Sequence, residues 1–128
     1  KEQAEQFWRG KLKGFTAPTL LGLEGKEEEK GYTEKVTYLS EEQTQALQGW
    51  AKRNKLTLST VIQGAWAYLM SRYSGENDIV FGVTSSGRST EIIDVENIVG
   101  SFITTSPTRI QLMDDIKLID WLQKIQEE

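Results

Sequence analysis

Histidine and cysteine are both absent from the 128-residue sequence. Without histidine, the chain lacks the usual general base near neutral pH and the commonest metal ligand, which excludes Ser-His and Cys-His catalysis. Without cysteine, it can form neither a disulfide framework nor a thiolate nucleophile. Any chemistry carried by this chain alone would therefore depend on carboxylates or lysines.

Long apolar runs and an excess of positive charge are also missing. No apolar run approaches the roughly 18 residues of a membrane span, and the N-terminus has no signal-peptide pattern. The 15 basic and 19 acidic residues give a net charge of -4, whereas a nucleic-acid-binding face needs a clustered basic patch. We therefore expect no nucleic acid partner, no membrane partner and a cytoplasmic location. The length suits one domain or part of one.

Helical periodicity and capping signals predict four helices. Their ranges are 2–13, 41 to about 54, 58–74, and from Asp114 or Asp115 to the end of the sequence. Ser40 begins a capping box that Gln43 completes, Thr57 or Ser59 can cap the third helix, and Gly75 is its expected C-cap. Because the third helix has a wide apolar face with Arg72 as its one charge, we expect it to be the most buried.

Three strands are predicted, at 32–39, 79–83 and 99–112. The first alternates polar and apolar residues and suits a sheet edge. The run Ile79 to Val83 is apolar throughout and predicts a central strand buried on both faces. Pro107 indicates a bulge or an edge position in the third. The order α-β-α-α-β-β-α predicts an α/β fold of the α+β layered kind, with helices packed on a small mixed sheet.

Small hydroxyl residues follow the apolar run of the second strand. Thr84, Ser85 and Ser86 precede Gly87 and Arg88, and the third strand carries alternating hydroxyl side chains, including Thr104 and Ser106 on one side and Thr105 with Arg109 on the other. If the two strands are neighbours, Thr84, Ser85 and Ser86 gather with Thr104 and Ser106 into a wall that suits a neutral, amide-rich ligand. The alternative is that they merely fill β positions while Arg88 pairs with Asp94 or Glu96.

Three segments carry a family resemblance: "FWRGKL" with "F..PTLL" at 7–21, "LTLSTVIQGAWAYLMSRYSGENDIVFGVTSSGR" at 56–88, and "NIVGSFITTSPTRI" at 97–110. In order and spacing the chain resembles the first part of the C-terminal lobe of a condensation domain from a nonribosomal peptide synthetase. The resemblance implies that residues 1–128 are a single partial domain, one part of one lobe of a chloramphenicol-acetyltransferase-like fold. In that fold, two lobes enclose an active-site tunnel.

The resemblance also implies a set of site residues. Ser86, Gly87 and Arg88 match the family's Ser-Gly-Arg, and the family's Gly-x-Phe-x-Asn-Thr-x-Pro-x-Arg is matched from Gly100 to Arg109, except that Thr104 replaces the usual Asn. The expected substrate-tunnel residues are Thr84, Ser85, Ser86, Gly87, Arg88, Gly100, Phe102, Thr104, Thr105 and Arg109. No catalytic residue is expected here, since the family's His-His-x-x-x-Asp-Gly motif belongs to the N-terminal lobe. No metal ligand is expected either.

The implied reaction is amide bond formation between acyl or aminoacyl thioesters held on carrier proteins. The expected partners are the N-terminal lobe of the same domain and the donor and acceptor carrier proteins, which bring phosphopantetheine arms; the chain itself binds no cofactor directly. We expect the chain alone to be inactive and to self-associate through its exposed apolar surface. The alternatives are a sibling domain that performs epimerisation, cyclisation or O-acyl transfer, and a non-catalytic module that docks carrier proteins.

Overall fold

The computed structural model describes residues 2–16, 18–21, 34–87, 94 and 97–127. Within them lie four helices and two strands. In chain order these are α1 (Glu2–Lys11), α2 (Glu41–Arg53), α3 (Leu58–Ser74), β1 (Asp78–Ser85), β2 (Thr104–Gln111) and α4 (Leu118–Glu127). Helices packed on a small sheet confirm the predicted α+β character.

The capping signals of α2 and α3 are formed as predicted. The Gln43 amide donates to Ser40 Oγ at 3.1 Å and the Ser40 amide donates to Gln43 Oε1 at 2.9 Å, which completes the capping box. Thr57, rather than Ser59, caps α3 by accepting from the Thr60 amide at 3.1 Å. Gly75 ends that helix in the left-handed conformation, with φ of 75°. Local hydrogen bonds of this kind depend on sequence spacing alone.

The other two helices are shorter than predicted. Helix α1 ends at Lys11 in a turn that leads to Gly14, whose φ is 81°. Helix α4 begins at Leu118 instead of Asp114 or Asp115, because these two aspartates form a turn. In both cases the apolar spacing is right, whereas the boundary is displaced by a few residues.

Strands β1 and β2 pair antiparallel in a two-stranded ribbon, in which Ile79 lies opposite Ile110 and Ser85 opposite Thr104. The predicted strand 79–83 is thus present, but its central, doubly buried position is wrong for the described residues. Only Ile79 is buried, and one edge of β1 has no strand partner among the described residues. The sheet in this part of the chain is antiparallel rather than mixed. Residues 99–103 are not strand, so the predicted strand 99–112 begins five residues late.

The predicted strand 32–39 is wrong for residues 34–39, which have no regular structure; residues 32 and 33 lie outside the described part. Every described residue of this segment is exposed, including Tyr38 at 87%. A strand requires a neighbour that pairs with its amides and carbonyls. No strand other than β1 and β2 lies in the described part of the chain, and both pair with each other. Alternation in the sequence therefore does not produce a strand here.

The hydrophobic core lies where α2, α3 and α4 meet the inner face of the ribbon. Its buried members are Ala51, Leu56, Ala67, Ile110, Trp121 and Leu122. The indole Nε1 of Trp121 donates to the Gln111 carbonyl oxygen at 2.9 Å, which satisfies the polar atom of a buried aromatic ring and ties α4 to the end of β2. The core therefore fixes the base of the ribbon and leaves its other end free to project.

Helix α3 has more buried residues than the other described helices, but its wide apolar face is only partly covered. Thr60, Gly64, Ala67, Met70 and Ser71 are buried. A stripe at helical spacing is exposed instead, and we call it the open stripe: Ile62 at 58%, Trp66 at 47%, Leu69 at 45% and Tyr73 at 58%. The wide apolar face that the sequence predicts is therefore exposed along one side, because the ribbon covers only one side of α3.

No helix within the described residues is both long enough and apolar enough to cross a membrane.

Matched isoleucine-to-alanine substitutions test this distribution of burial. Ile79 is fully buried whereas Ile62 is 58% exposed. We expect Ile79→Ala to lower the free energy of unfolding of the 128-residue chain by about 2–5 kcal/mol, because it leaves a cavity. Ile62→Ala should change it by less than about 0.5 kcal/mol. Urea unfolding followed by tryptophan fluorescence measures both; equal losses would contradict the exposed position of α3's open stripe.

Candidate functional site

Hydroxyl side chains meet at the end of the ribbon that projects from the core. Thr84 Oγ1 and Thr105 Oγ1 lie 2.9 Å apart, and Ser85 Oγ and Thr104 Oγ1 lie 3.3 Å apart. All four residues are exposed. We call these four residues the hydroxyl end. The sequence predicts that Thr84 and Ser85 gather with Thr104; the structure brings Ser85 to Thr104, whereas Thr84 meets Thr105.

The hydroxyl end has two faces rather than the single wall that the sequence suggests. Side chains alternate along each strand, so Ser85 and Thr104 share the inner face with Ile79 and Phe81. Thr84 and Thr105 share the outer face with Arg109. Ser106 lies opposite Val83 on the inner face, and Ser86 is exposed just beyond the strand. A ligand at this end would therefore meet donors and acceptors on both sides of the ribbon.

Gly87 follows β1 at the hydroxyl end, and its backbone packs closely against the backbone of Phe102. Its φ is 63°, and a Cβ at this position would collide with the carbonyl oxygen of Phe102. The position therefore requires glycine both for its conformation and for space. Phe102 is half-buried here, while Gly100 is exposed. Arg88 lies outside the described residues, so its role stays a prediction.

The alternative pairing of Arg88 with Asp94 or Glu96 also lies partly outside the described residues, since Glu96 is not among them. Asp94 itself is exposed, with φ of 59°. Its backbone carbonyl accepts from the Asn97 amide at 2.9 Å, and its Oδ1 accepts from Asn97 Nδ2 at 3.4 Å. Asp94 thus stabilises a local turn.

Arg109 points away from the hydroxyl end and is held by the protein. Its Nε donates to Asp78 Oδ1 at 2.8 Å and its Nη2 to Asp78 Oδ2 at 2.6 Å. Its Nη1 donates to the carbonyl oxygens of Lys11 at 3.0 Å and Lys13 at 2.8 Å. This bidentate geometry with a carboxylate is the strongest common form of ion pair. The sequence motif indicates Arg109 as a tunnel residue and does not identify these partners.

Asp78 is the residue that sequence reasoning missed. The Arg109 guanidinium that hydrogen-bonds Asp78 holds the pKa of that carboxyl below its ordinary value, while partial burial acts in the opposite direction. The sequence signal for this pair is an aspartate at the first position of an apolar strand. In the observed register, Val80, two residues after Asp78, lies opposite Arg109. Without the register of β1 and β2, that signal has no specific partner.

A metal site is not supported by the described residues, which contain no group of three or more carboxylates that could hold an ion. The hydroxyl end offers neutral oxygens, which suit hydrogen bonds to amides better than the binding of a charged group. The arrangement can therefore hydrogen-bond a neutral polar chain.

Comparison with known proteins gives consistent results. The family model described as "Condensation domain" matches residues 1–128. The chain is 45% identical to a linear gramicidin synthase protein of Brevibacillus parabrevis over 98% of its length, and 39% identical to bacitracin synthase 3 of Bacillus licheniformis over all of it. A solved structure of the first condensation domain of the calcium-dependent antibiotic synthetase, in complex with substrate analogue 2a, superposes with a TM-score of 0.78 at 20% identity over 98% of this chain.

The chain spans only a small part of each of these proteins. It corresponds to 2% of the gramicidin synthase protein, 2% of bacitracin synthase 3 and 29% of the solved condensation-domain chain.

The pH dependence of stability tests the Asp78–Arg109 pair. Because the folded-state pKa of Asp78 is lowered, its contribution is present above the unfolded-state pKa of about 3.9 and is lost as the pH falls through the folded-state value. We expect Asp78→Asn to lower the urea midpoint at pH 7 and to reduce the further loss below about pH 4. Parallel midpoint profiles for the two proteins would contradict the pairing.

Matched glycine substitutions test the close approach at Gly87. Gly75 has a similar φ of 75°, but a Cβ added there would meet nothing within 4 Å, so Gly75→Ala reports conformational strain of about 1–2 kcal/mol. Gly87→Ala adds the collision with the Phe102 carbonyl, and we expect it to cost at least about 1 kcal/mol more. Urea unfolding of both variants measures the difference; equal losses would contradict the contact.

Proposed function

Since the chain belongs to the condensation-domain family, we propose that it forms the first part of the C-terminal lobe of a domain that joins carrier-bound substrates by an amide bond in nonribosomal peptide synthesis. In the proposed reaction, the amine of an acceptor aminoacyl group attacks the thioester carbonyl of the donor. The C–N bond forms, the C–S bond breaks, and the donor carrier leaves as a free thiol, which takes up the proton lost by the amine.

The observation that carries this proposal is the hydroxyl end of the ribbon. Phosphopantetheine is a thin chain that contains two amides, and its neutral donors and acceptors match the exposed hydroxyls of Thr84, Ser85, Thr104 and Thr105. Each hydroxyl can donate or accept, so the end can hydrogen-bond an amide in either orientation. We assign these residues to the wall of the substrate tunnel.

The remaining predicted site residues fit this wall in different ways. Gly87 and Phe102 shape the end of the ribbon by their close approach, and exposed Ser86 and Gly100 extend it. Thr104 places a hydroxyl where the family's amide is usual, so it offers one hydrogen-bonding atom instead of two. We retain Arg88 in the proposal as a residue of the tunnel rim or the lobe interface.

The chain supplies a wall and not the reacting base. It has no histidine, so we propose that the base belongs to the N-terminal lobe and that residues 1–128 alone do not form peptide bonds. The donor and acceptor carrier proteins are the proposed partners, and they bring the phosphopantetheine arms. A cytoplasmic location is part of the same proposal.

The open stripe of α3 supports a partner lobe that covers it. Ile62, Trp66, Leu69 and Tyr73 expose large apolar areas side by side, and such a surface is costly in water when nothing packs against it. We propose that further parts of the same domain cover this surface. The same exposure leads us to expect that the isolated chain self-associates.

Isosteric removal of hydroxyls at the ribbon end tests the assignment. In the complete condensation domain with its carrier proteins, we expect Thr104→Val and Thr105→Val each to lower the rate of dipeptide formation about tenfold, the equivalent of one lost hydrogen bond in the reacting complex. Thr108→Val is the control, because Thr108 shares the inner face with Thr104 but lies four residues from the ribbon end. Product formation is measured by mass spectrometry of the acceptor carrier.

The outcomes separate the proposal from its alternatives. Equal rates for all three variants and the wild type would remove the hydroxyl end from the substrate path. A wild-type domain that epimerises, cyclises or O-acylates its substrate would replace peptide-bond formation by that sibling reaction. Binding of carriers without any turnover would replace it by a docking role. Reading the sequence N-terminal to this chain for His-His-x-x-x-Asp-Gly gives an independent check.

A further inference from the structure

Helix α1 is attached to the rest of the described chain in an unusual way. None of its residues is buried. Its apolar side chains Phe7 and Trp8 line a cavity of about 220 Å³ together with residues of β2. Apolar burial holds α1 only in part, since Trp8 is half-buried and Phe7 is exposed, and polar contacts at its C-terminal end add to it.

The guanidinium of Arg109 makes the main polar contacts at that end. Nη1 donates to the carbonyl oxygens of Lys11 at 3.0 Å and Lys13 at 2.8 Å. Carbonyl groups in the last turn of a helix lack intrahelical donors, and the negative end of the helix dipole attracts a cation. The Phe15 ring centroid lies 5.9 Å from the guanidinium carbon, within the range of a cation–π contact.

Asp78 fixes the orientation of the same guanidinium. It accepts from Nε at 2.8 Å and from Nη2 at 2.6 Å, and the Arg109 side chain is only 15% exposed. Asp78 belongs to β1 and Arg109 to β2, so both strands hold the group that holds α1. A second link joins the same region, because the Val80 amide donates to Thr19 Oγ1 at 3.2 Å.

We propose that Arg109 is a positioning residue, which sets the direction in which α1 leaves the ribbon and, through α1, the placement of the N-terminal lobe against the hydroxyl end. This inference rests on the proposed function, in which the chain preceding α1 belongs to that lobe. Arg109 then acts on the reaction through geometry and not through contact with the substrate. Small displacements of reacting groups lower catalytic rates strongly.

Lysine at position 109 is the sharpest test, since it keeps the charge but loses the planar fork. The ammonium has three N–H donors for the four acceptor atoms of Asp78, Lys11 and Lys13, and it has no planar fork that pairs with both carboxylate oxygens, so it cannot keep all four hydrogen bonds. In the complete domain we expect Arg109→Lys to raise hydrogen exchange of the α1 amides at least about tenfold while α3 amides are unchanged. We expect kcat for dipeptide formation to fall about tenfold, with the KM for each loaded carrier changed less than about twofold.

Two further variants complete the experiment. Asp78→Asn keeps the arginine but removes the negative charge that orients it. The rise in α1 hydrogen exchange and the fall in kcat should therefore both be smaller than in Arg109→Lys. If Arg109→Lys fails to fold, Asp78→Asn decides the test. Arg53→Lys, at the exposed end of α2, should leave exchange and kcat as in the wild type.

Wild-type exchange of α1 in both Arg109→Lys and Asp78→Asn would overturn the proposal, and so would faster exchange without a fall in kcat. A wild-type domain that forms no peptide would instead overturn the proposed function, while the exchange measurement still decides whether Arg109 holds α1.

Discussion

Antiparallel pairing of β1 with β2 is the constraint on which the rest of this structure depends. One register places Ile79 opposite Ile110 in the core, Ser85 opposite Thr104 at the projecting end, and Asp78 diagonal to Arg109 on the outer face. Because side chains alternate between faces, a shift of one residue would exchange core and solvent positions along the ribbon. The buried isoleucine pair therefore determines where the hydroxyl pairs and the guanidinium lie.

The ribbon joins two regions with different physical character. At its base, apolar side chains of three helices pack against it, and the indole hydrogen bond of Trp121 ties it to α4. At its far end, small hydroxyl residues and Gly87 leave exposed polar atoms and little side-chain bulk. A packed base and a narrow polar end fit the proposed role as the wall of a passage for an amide-bearing chain, because the scaffold fixes the donors before the ligand arrives.

The same arrangement leaves apolar surface of this chain exposed to solvent. Helix α3 packs against the ribbon on one side and exposes large apolar residues on the other, and residues 34–39 are exposed and form no regular structure. Both features agree with a chain that spans 29% of a solved condensation-domain chain. Exposed apolar surface is thus found beside a core that is already formed.

By itself, the sequence determined the features that depend on neighbours within a few residues. These are the capping box at Ser40, the Thr57 cap, the Gly75 terminus and the apolar run from Ile79, together with the absence of histidine chemistry. The motifs between 56 and 110 were sufficient to identify the family. Only the tertiary structure decided the pairing register, and with it the division of the hydroxyls between two faces. The strand predicted at 32–39 is wrong for its described part because alternation cannot supply a partner strand. The tertiary structure also decided that Arg109 is held by Asp78 and by the carbonyls of Lys11 and Lys13. Those contacts join residues 31, 98 and 96 positions apart, and such distant pairs leave no periodic signal in a single sequence.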